Sequence, residues 1–346
     1  MSHMSLDITE LKMTNVLKYN PKVASKTDEL KVMKLMLFYL LFIPCLVYLT
    51  GDKDFNAWVD EPTYQNYFYL ATYNNYIEIF KNGVDPLFVS FMRPFTSIYN
   101  GFNVFLLVCA FITLTIKITA LKNSTDNFFI LMLLYGSYLL FLHDYTQIRI
   151  ALAMAFVAFG IYCNKSRTSM SIFFCIGALV HLTTILIIIT FLIYRRFGYK
   201  KFFWVVLFSF FLPLIVFSGV IHNARLETYI ELAKYKEQYF EANFFASQPI
   251  LQIIGIMYIY VNSKLRKYIC TYEYCFSMLG VVLFYSFSSV PVLSFRLFEM
   301  TMFFYIILLS RLFFISNFIK IICLLYLLVG VKNLFYGASA IFNLTS

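Results

Sequence analysis

A few ionisable side chains interrupt the apolar sequence at positions that favour chemistry. Arg149 opens an alanine-rich apolar stretch, His181 lies in the middle of another, and Arg296 opens a third with Glu299 three residues later. That spacing puts Arg296 and Glu299 on one helix face. Guanidiniums bind diphosphates through bidentate, charge-assisted hydrogen bonds, and histidine exchanges protons near neutral pH. Because ionisable residues at membrane depth tend to be functional, these residues predict a site that holds a diphosphate and moves a proton.

Each of these residues also has a purely structural interpretation. Arg149 and Arg296 can be interfacial anchors whose charged ends reach the water. His181 can form a hydrogen bond between two helices. Glu299 can simply neutralise Arg296, and Arg93, in a short amphipathic run, can lie at the interface. For Arg149 and Arg296 the functional interpretation is favoured, because outer membrane faces are depleted in arginine.

The composition indicates the kind of protein that must position these side chains. The chain has 346 residues, of which 61% are hydrophobic and 13% are charged. Soluble domains carry about 25% charged residues, so the chain is predicted to be an all-α polytopic membrane protein. The net charge of +10 is interpreted as a record of membrane topology and not as a nucleic-acid surface. The seven cysteines form no CxxC pair and are interpreted as buried thiols.

The apolar runs define the predicted organisation of the chain. They predict about 10–12 transmembrane or half-membrane helices. Residues 1–34 are expected to be cytoplasmic, with 1–3 as a tag scar, 35–337 to form one transmembrane domain, and 338–346 to be an outer tail. The expected outer loops are 51–101 and 221–247, and the second contains an amphipathic pattern that predicts a helix lying on the membrane surface. With the N-terminus inside, most basic residues fall inside and most acids outside.

One run, 168–194, predicts a break near His181. It is followed by "YRRFGYKK", and a single crossing would place those four basic residues outside. The positive-inside rule disfavours that arrangement. The alternative is two half-helices of roughly 13 residues, each about 20 Å long and too short to cross the hydrocarbon core. A break at membrane depth is tolerated where it faces protein or a water-filled cavity, so His181 is expected to line a cavity.

The stretch "QIRIALAMAFVAFGIYCNKSRTSMSIFFCIGALVHLTTILIIITFLIYRRF", 147–197, resembles the core of the EpsG/Wzy-type polysaccharide polymerases. The shared pattern is Arg149 before an alanine-rich helix, a short basic "NKSR" turn, and His181 followed by Thr183. Upstream, "DEPTYQNYF" and "DPLFVSFMRPFTSIYNGFNVFLLVCAFIT" resemble the first outer loop and next helix of that family. Downstream, "SFRLFEMTMFFYIILL" resembles its late arginine-bearing helix.

The resemblance implies a GT-C-like glycosyltransferase of the bacterial inner membrane. Its partners would be undecaprenyl-diphosphate-linked oligosaccharide repeats and the lipid bilayer. A chain-length regulator is a further candidate partner, and no nucleic acid is expected. It would polymerise the repeats into O-antigen or capsule at the periplasmic face, and no metal or other cofactor is expected.

The site residues are predicted in three groups. Arg149 and Arg296 are expected to bind the diphosphate, where negative charge grows in the transition state. His181 is the first choice for the base, with Asp144, Asp60 and Glu299 as further candidates. The residues expected to contact sugars or order the outer loops are Asp60, Tyr64, Arg93 and Gln147.

Three other classes of membrane protein account less well for the sequence. A flippase for lipid-linked oligosaccharides would also need a cationic cavity, but transporters tend to show paired halves with interrupted helices, and the sequence contains no such pairing. An O-antigen ligase would have its large outer loop late in the chain, whereas the larger outer loop here, 51–101, is early. A membrane acyltransferase would use a histidine but gives no reason for two outer arginines.

Overall fold

A computed structural model describes the backbone of residues 26–53, 60–82, 85–164, 166–218, 243–336 and 341–342. These residues form fourteen α-helices and contain no strand, which confirms the predicted all-α class. The helices are α1 Lys26–Gly51, α2 Glu61–Tyr73, α3 Tyr76–Asn82, α4 Pro86–Met92, α5 Gly101–Ser124, α6 Phe128–Leu134, α7 Ile148–Tyr162, α8 Arg167–Val180, α9 Thr184–Ser209, α10 Leu212–Phe217, α11 Ser247–Val261, α12 Tyr272–Ser286, α13 Pro291–Leu312 and α14 Asn317–Phe335. The chain divides into two units, Met1–Pro44 and Cys45–Ser346, and every contact described below lies within the second.

Long apolar helices make the protein polytopic. Within the described residues, four spans are long and apolar enough to cross a membrane: Gly101–Ser124, Phe128–Thr146, Pro291–Leu312 and Asn317–Phe335. Shorter apolar helices cover Tyr39–Gly51, Ile148–Tyr162, Arg167–Val180 and Ser247–Val261. The second long span combines α6 with a π-helical segment, Tyr135–Thr146, that continues it. Stretches of π-helix are rare and frequently lie at functional sites.

The predicted break at His181 is confirmed. Helix α8 ends at Val180, His181 has an extended backbone, and α9 begins at Thr184. Helix α9 is itself interrupted at Gly198, whose φ of 73° lies in the left-handed region that favours glycine. The chain therefore turns within "YRRFGYKK", and Tyr194 donates a hydrogen bond to the backbone oxygen of Cys270 just before α12. The two half-helices that flank His181 are each about 21 Å long.

Small residues allow α7 and α8 to pack closely as an antiparallel pair. A Cβ atom at Gly177 would lie 2.9 Å from Cγ2 of Val157 and 3.1 Å from the backbone oxygen of Ala153. Such close approach is typical of helix pairs in membranes, where packing and not the hydrophobic effect drives association. The pairing brings the beginning of α7 next to the end of α8, and these two ends carry Arg149 and His181.

Helix α13 forms the centre of the described bundle, and α14 lies at its periphery. Almost every residue of α13 from Leu297 to Leu312 is buried, including Phe303, Phe304 and Tyr305. By contrast, α14 exposes a series of large apolar side chains, among them Ile321, Leu324 and Leu328. In a bilayer the lipid chains solvate such a face, so this distribution fits a membrane protein whose periphery contacts lipid.

The loop 51–101 contributes a small helical layer at one end of the bundle. Helix α2 packs against α4, and α4 packs against α8. An aromatic cluster under this layer joins Tyr64 and Phe88 to Phe105 of α5. The layer therefore fixes residues of the loop against the helix ends that carry Arg149 and His181. The predicted surface helix within 221–247 lies mostly outside the described residues.

Candidate functional site

A buried carboxylate joins the two residues that the sequence pattern singles out first. Oδ2 of Asp85 lies 2.7 Å from Nη1 of Arg149 and 3.3 Å from Nδ1 of His181. The three residues are 3%, 6% and 2% exposed. Their mutual arrangement is an ion pair with a histidine hydrogen-bonded to the same oxygen. A carboxylate on one ring nitrogen of a histidine fixes the orientation of the imidazole and the tautomer that exchanges protons.

Three different elements supply these side chains. Arg149 lies in the first turn of α7, and His181 occupies the break between α8 and α9. Asp85 precedes Pro86 at the start of α4 and adopts the left-handed region with φ 63°. A non-glycine residue in that region is strained, and such strain persists where the surroundings overdetermine the backbone. The ion pair with Arg149 is one of the contacts that hold Asp85 there.

Two tyrosines of α2 surround the guanidinium of Arg149. The hydroxyl of Tyr67 accepts a hydrogen bond of 2.7 Å from Nη1, and the hydroxyl of Tyr64 accepts one of 3.2 Å from the backbone N–H. The guanidinium carbon also lies 5.3 Å from the Tyr64 ring centre and 4.7 Å from the Tyr67 ring centre. Burial raises the pKa of Tyr64 to about 12, so its hydroxyl stays neutral at physiological pH. Tyr64, which is predicted to contact sugars or order the outer loop, therefore contacts Arg149.

A second polar group lies at the start of α13. Nη2 of Arg296 lies 3.8 Å from Oδ1 of Asp60, and both side chains are about one-fifth exposed. Nε2 of Gln147 donates a hydrogen bond of 3.0 Å to Oε2 of Glu299. These are pairs of predicted site residues that are distant in sequence and adjacent in space. Arg296 and Glu299 each contact a residue that directly precedes another helix: Asp60 precedes α2 and Gln147 precedes α7.

The two polar groups are neighbours through shared elements. Asp60 directly precedes α2, and Tyr64 lies one turn further along the same helix. The rise per helical turn is about 5.4 Å. Asp60, at the beginning of this turn, contacts Arg296, and Tyr64, at its end, contacts Arg149. Gln147 directly precedes α7 and contacts α13. The structure therefore places the two arginine-bearing helix starts side by side, with the His181 break next to the first.

Two of the predicted residues lie elsewhere. Asp144 accepts a 2.7 Å hydrogen bond from Lys117, and the hydroxyl of Tyr135 donates to its other oxygen. The Lys117 and Asp144 side chains are fully buried, so they form a separate ion pair within the bundle. Arg93 donates hydrogen bonds from Nη1 to the backbone oxygens of Ala71, at 3.0 Å, and Asn74. It binds the C-terminal end of α2 and orders the outer loop.

An apolar groove begins directly below the Asp85 cluster. It has a volume of about 180 Å³ and an entirely apolar lining of Leu87, Phe88, Phe91, Ile112, Leu152, Phe156, Ile176 and Val180. Val180 directly precedes His181, and Leu152 lies one turn after Arg149. The groove therefore lies close to the polar cluster, between α4, α5, α7 and α8.

Sequence reasoning missed Asp85 and Tyr67. Asp85 stands in "VDPLFVSF", where an acidic residue and a proline precede a short apolar run. An Asp–Pro pair at a helix start is a signal that the aspartate lies at the first turn. Nothing local identifies its partners, because Arg149 and His181 follow 64 and 96 residues later. Tyr67 is one of 27 tyrosines, and no spacing distinguishes it from those at the membrane interface.

The described residues contain no group of three histidine, cysteine or acidic side chains arranged to hold a metal ion. The side chains of the cluster are suited to acid–base and electrostatic chemistry. A histidine oriented by a carboxylate can accept a proton, and nearby guanidiniums can stabilise negative charge on a leaving group. Nε of Arg149 is buried and has no hydrogen-bond partner among the described residues, so a ligand oxygen beside it would complete its hydrogen bonding.

Comparison with known proteins identifies the family of the chain. No curated protein and no solved structure shows a significant similarity to the chain. A sequence model of the EpsG family matches residues 36–346, which include every helix described above except the beginning of α1. Because the match covers most of the chain, the protein belongs to the EpsG family, which is related to the Wzy-like polysaccharide polymerases.

Proposed function

We propose that the protein is a membrane glycosyltransferase that polymerises undecaprenyl-diphosphate-linked oligosaccharide repeats into O-antigen or capsular polysaccharide. Membership of the EpsG family supports a polysaccharide-polymerase function. The observation that carries the finer proposal is the buried cluster in which Asp85 joins Arg149 to His181. The proposal places the protein in the bacterial inner membrane, with a cytoplasmic N-terminus and the cluster on the periplasmic side, in agreement with the positive-inside rule.

In the proposed reaction, a hydroxyl of the acceptor repeat attacks the anomeric carbon of the donor chain. The bond from that carbon to the lipid diphosphate breaks, and the polyprenyl diphosphate leaves. His181 accepts the hydroxyl proton, and Asp85 holds its ring in position through Nδ1. Glu299, which is held by Gln147, and Asp60 are the alternative bases, whereas Asp144 is paired with Lys117 elsewhere in the bundle.

The two arginines act on the leaving group in this proposal. Negative charge grows on the diphosphate as the glycosidic bond breaks, and fixed cations lower the barrier to that step. Arg149 offers Nε while its Nη1 remains bound by Asp85 and Tyr67. Arg296 is one-fifth exposed and approaches from the start of α13. Asp60 contacts Arg296 and Tyr64 contacts Arg149, one turn apart on α2.

The apolar groove supports a lipid-linked substrate. Its lining is entirely apolar, and it starts beside His181 and Arg149. A polyprenyl chain is apolar along its whole length and carries its diphosphate at one end. The proposed binding mode places the diphosphate at the arginines and the first isoprene units in the groove. A soluble nucleotide-sugar donor would leave such a groove without a ligand.

Reconstituted protein tests the proposal. Wild type and the variants Arg149→Lys and His181→Asn are incorporated into liposomes with the undecaprenyl-diphosphate-linked repeat of the source organism. Wild type is expected to lengthen the glycan. Loss of a positioned base or of a bidentate guanidinium is expected to slow elongation by about 100-fold. Gel electrophoresis of the released glycan measures the product lengths.

Arg266→Gln is the matched control, because Arg266 is exposed and lies in the turn before α12. It is expected to elongate at the wild-type rate. Elongation at that rate by both site variants would contradict the assignment. Substrate that crosses the membrane chemically unchanged would support the flippase alternative.

A further inference from the structure

A second cavity lies at the other end of the bundle. It has a volume of about 360 Å³ and is lined by Lys122, Asn123, Ser124, Thr125, Asp126, Asn127, Tyr268 and Arg311. Helix α13 begins near Arg296 and ends near Arg311, and the fifteen-residue separation corresponds to about 22 Å along the helix. This cavity is therefore distinct from the cluster around Asp85.

The lining of this cavity is predominantly polar. It comprises two cations, one acid, two amides and three hydroxyls. Small-molecule sites have volumes of about 300–1,000 Å³, so the cavity is large enough for a headgroup or a small phosphate compound. It is too small for an oligosaccharide repeat. The mixture of cations, hydroxyls and amides is the donor set that binds phosphate oxygens.

The guanidinium of Arg311 is held in a fixed orientation at the cavity wall. Nε donates a 2.7 Å hydrogen bond to the backbone oxygen of Ser124, and Nη1 lies 2.8 Å from Oε1 of Glu273. Tyr162 donates a further hydrogen bond to Glu273, whose side chain is fully buried behind Arg311. A guanidinium that is oriented before the ligand arrives loses little conformational freedom on binding.

The loop between α5 and α6 forms the opposite wall and is also ordered. Asn127 donates a 2.8 Å hydrogen bond to the backbone oxygen of Ser310, and its own backbone N–H donates to Thr125. The loop is therefore attached to the end of α13. The residues of this loop and the two cations line the same cavity.

Positive charge predominates at this end of the cavity. Lys267 lies with Nζ 5.3 Å from the Tyr268 ring centre, which adds a third cation at the rim. Against these three cations stand two acids, Asp126 of the lining and Glu273, which is paired with Arg311. The positive-inside rule assigns this end to the cytoplasm. Basic pockets between membrane helices on the cytoplasmic side are suited to phosphate headgroups.

We propose that this cavity binds a phosphate-bearing group, either the headgroup of an anionic phospholipid or a soluble phosphate compound. Lys122 and Arg311 bind the phosphate oxygens, and the α5–α6 loop and Tyr268 contribute neutral hydrogen bonds. The site does not depend on the polymerase reaction. A ligand here would bridge the ends of α5 and α13, and the other end of α13 carries Arg296.

Binding to the full-length protein tests the proposal in two arms. In the lipid arm, the protein is placed in nanodiscs of equal phosphatidylglycerol and phosphatidylcholine, and native mass spectrometry counts the retained phosphatidylglycerol. In the soluble arm, inorganic pyrophosphate is titrated calorimetrically into protein in phosphatidylcholine nanodiscs. Lys122→Gln is expected to weaken binding about tenfold in the arm that contains the ligand, because one charge-assisted hydrogen bond is lost.

Two further variants make the result interpretable. Lys320→Gln removes an exposed lysine near the start of α14, outside the cavity, and is expected to bind as wild type does. Arg311→Lys keeps the charge but loses the planar fork, and it is expected to weaken binding. An effect in the lipid arm identifies a headgroup, and an effect in the soluble arm identifies a free phosphate compound. Equal binding by Lys122→Gln and Lys320→Gln in both arms, or binding in neither, would overturn the proposal.

Discussion

At the scale of single residues, Asp85 connects the parts of the first site. It is buried, its charge is balanced by Arg149, and the same oxygen contacts His181. An isolated carboxylate at this depth would be strongly destabilising, whereas a paired carboxylate is tolerated. The pair therefore makes it physically feasible to place a histidine next to a fixed negative charge inside the protein.

Asp85→Asn is expected to reduce elongation by about 100-fold, because His181 loses the carboxylate that orients it. The substitution preserves the size of the side chain but leaves the Arg149 charge without its partner. We therefore also expect thermal stability in detergent to fall by about 3 kcal/mol. Elongation rate and thermal unfolding of the purified variant measure the two effects.

The double variant Asp85→Asn, Arg149→Gln separates them. Without the buried charge, stability should recover by most of the loss, while elongation stays low. If the single variant elongates normally, Asp85 does not position the base. If the double variant is as unstable as the single one, the loss of stability does not come from an unpaired arginine.

At the scale of elements, the spacing between α7 and α8 determines whether the site residues meet. Arg149 lies at the start of one helix and His181 just after the end of the other. Gly177 lies against Val157 and the backbone of Ala153, so any larger residue separates the two helices. The contacts of Asp85 with both residues depend on this separation, because hydrogen bonds weaken steeply beyond about 3.2 Å.

Gly177→Val is expected to lower stability by about 1–3 kcal/mol through overpacking, and to reduce elongation because His181 moves away from Asp85. Thermal unfolding and glycan length measure these effects. Adding Val157→Ala removes the methyl group nearest to the new side chain and should restore part of both. Gly136→Ala is the control, because a Cβ atom there meets nothing within 4 Å. A Gly177→Val protein with wild-type activity would show that the site tolerates a wider helix separation.

At the scale of the whole molecule, charged groups are distributed between distinct buried networks. The Asp85 cluster and the Lys117–Asp144 pair lie at separate places, and Glu273 with Arg311 forms a third network. In each, an acid is matched by a base within 2.8 Å. Pairing of this kind is the usual condition for ionisable groups in a membrane interior. Buried charge outside these pairs should therefore make the stability of the protein depend on pH.

Lys53 is a buried lysine that belongs to none of these three networks. It follows α1, its Nζ donates to the backbone oxygen of Tyr145, and burial lowers its pKa to about 7. The unfolded chain keeps the ordinary value of about 10.4. Between these values the unfolded state binds more protons than the folded state, so stability rises with pH from about 7 to about 10. Below pH 7 both states are protonated, and the full cost of the buried charge remains.

Lys53→Met should remove this dependence. Thermal unfolding in detergent at pH 7, 8 and 9 is expected to show a rising midpoint for wild type. The midpoint of the variant should be higher at pH 7 and change less with pH. Lys320→Met, at an exposed site, should behave as wild type does. Parallel curves for wild type and Lys53→Met would contradict a lowered pKa at this lysine.

Several features were predictable because they depend on local composition. Apolar runs give the helices directly, since each must cover a given thickness of hydrocarbon. The break at His181 follows from the length of the run 168–194 and the four basic residues in the "YRRFGYKK" that follows it. Arginines at the starts of α7 and α13 were also visible as charges at the ends of apolar stretches.

The amino-acid sequence by itself determined the membrane class, the helix break at His181 and which charged residues interrupt the apolar runs, because hydropathy and charge act along the chain over one helix length. Only the tertiary structure decided which charges meet. It joined Asp85 to Arg149 and His181, and it drew Asp144 away to Lys117. The reason is that partners in a low-dielectric interior are selected by helix packing and by one left-handed turn before Pro86, and neither leaves a periodic signal in the sequence.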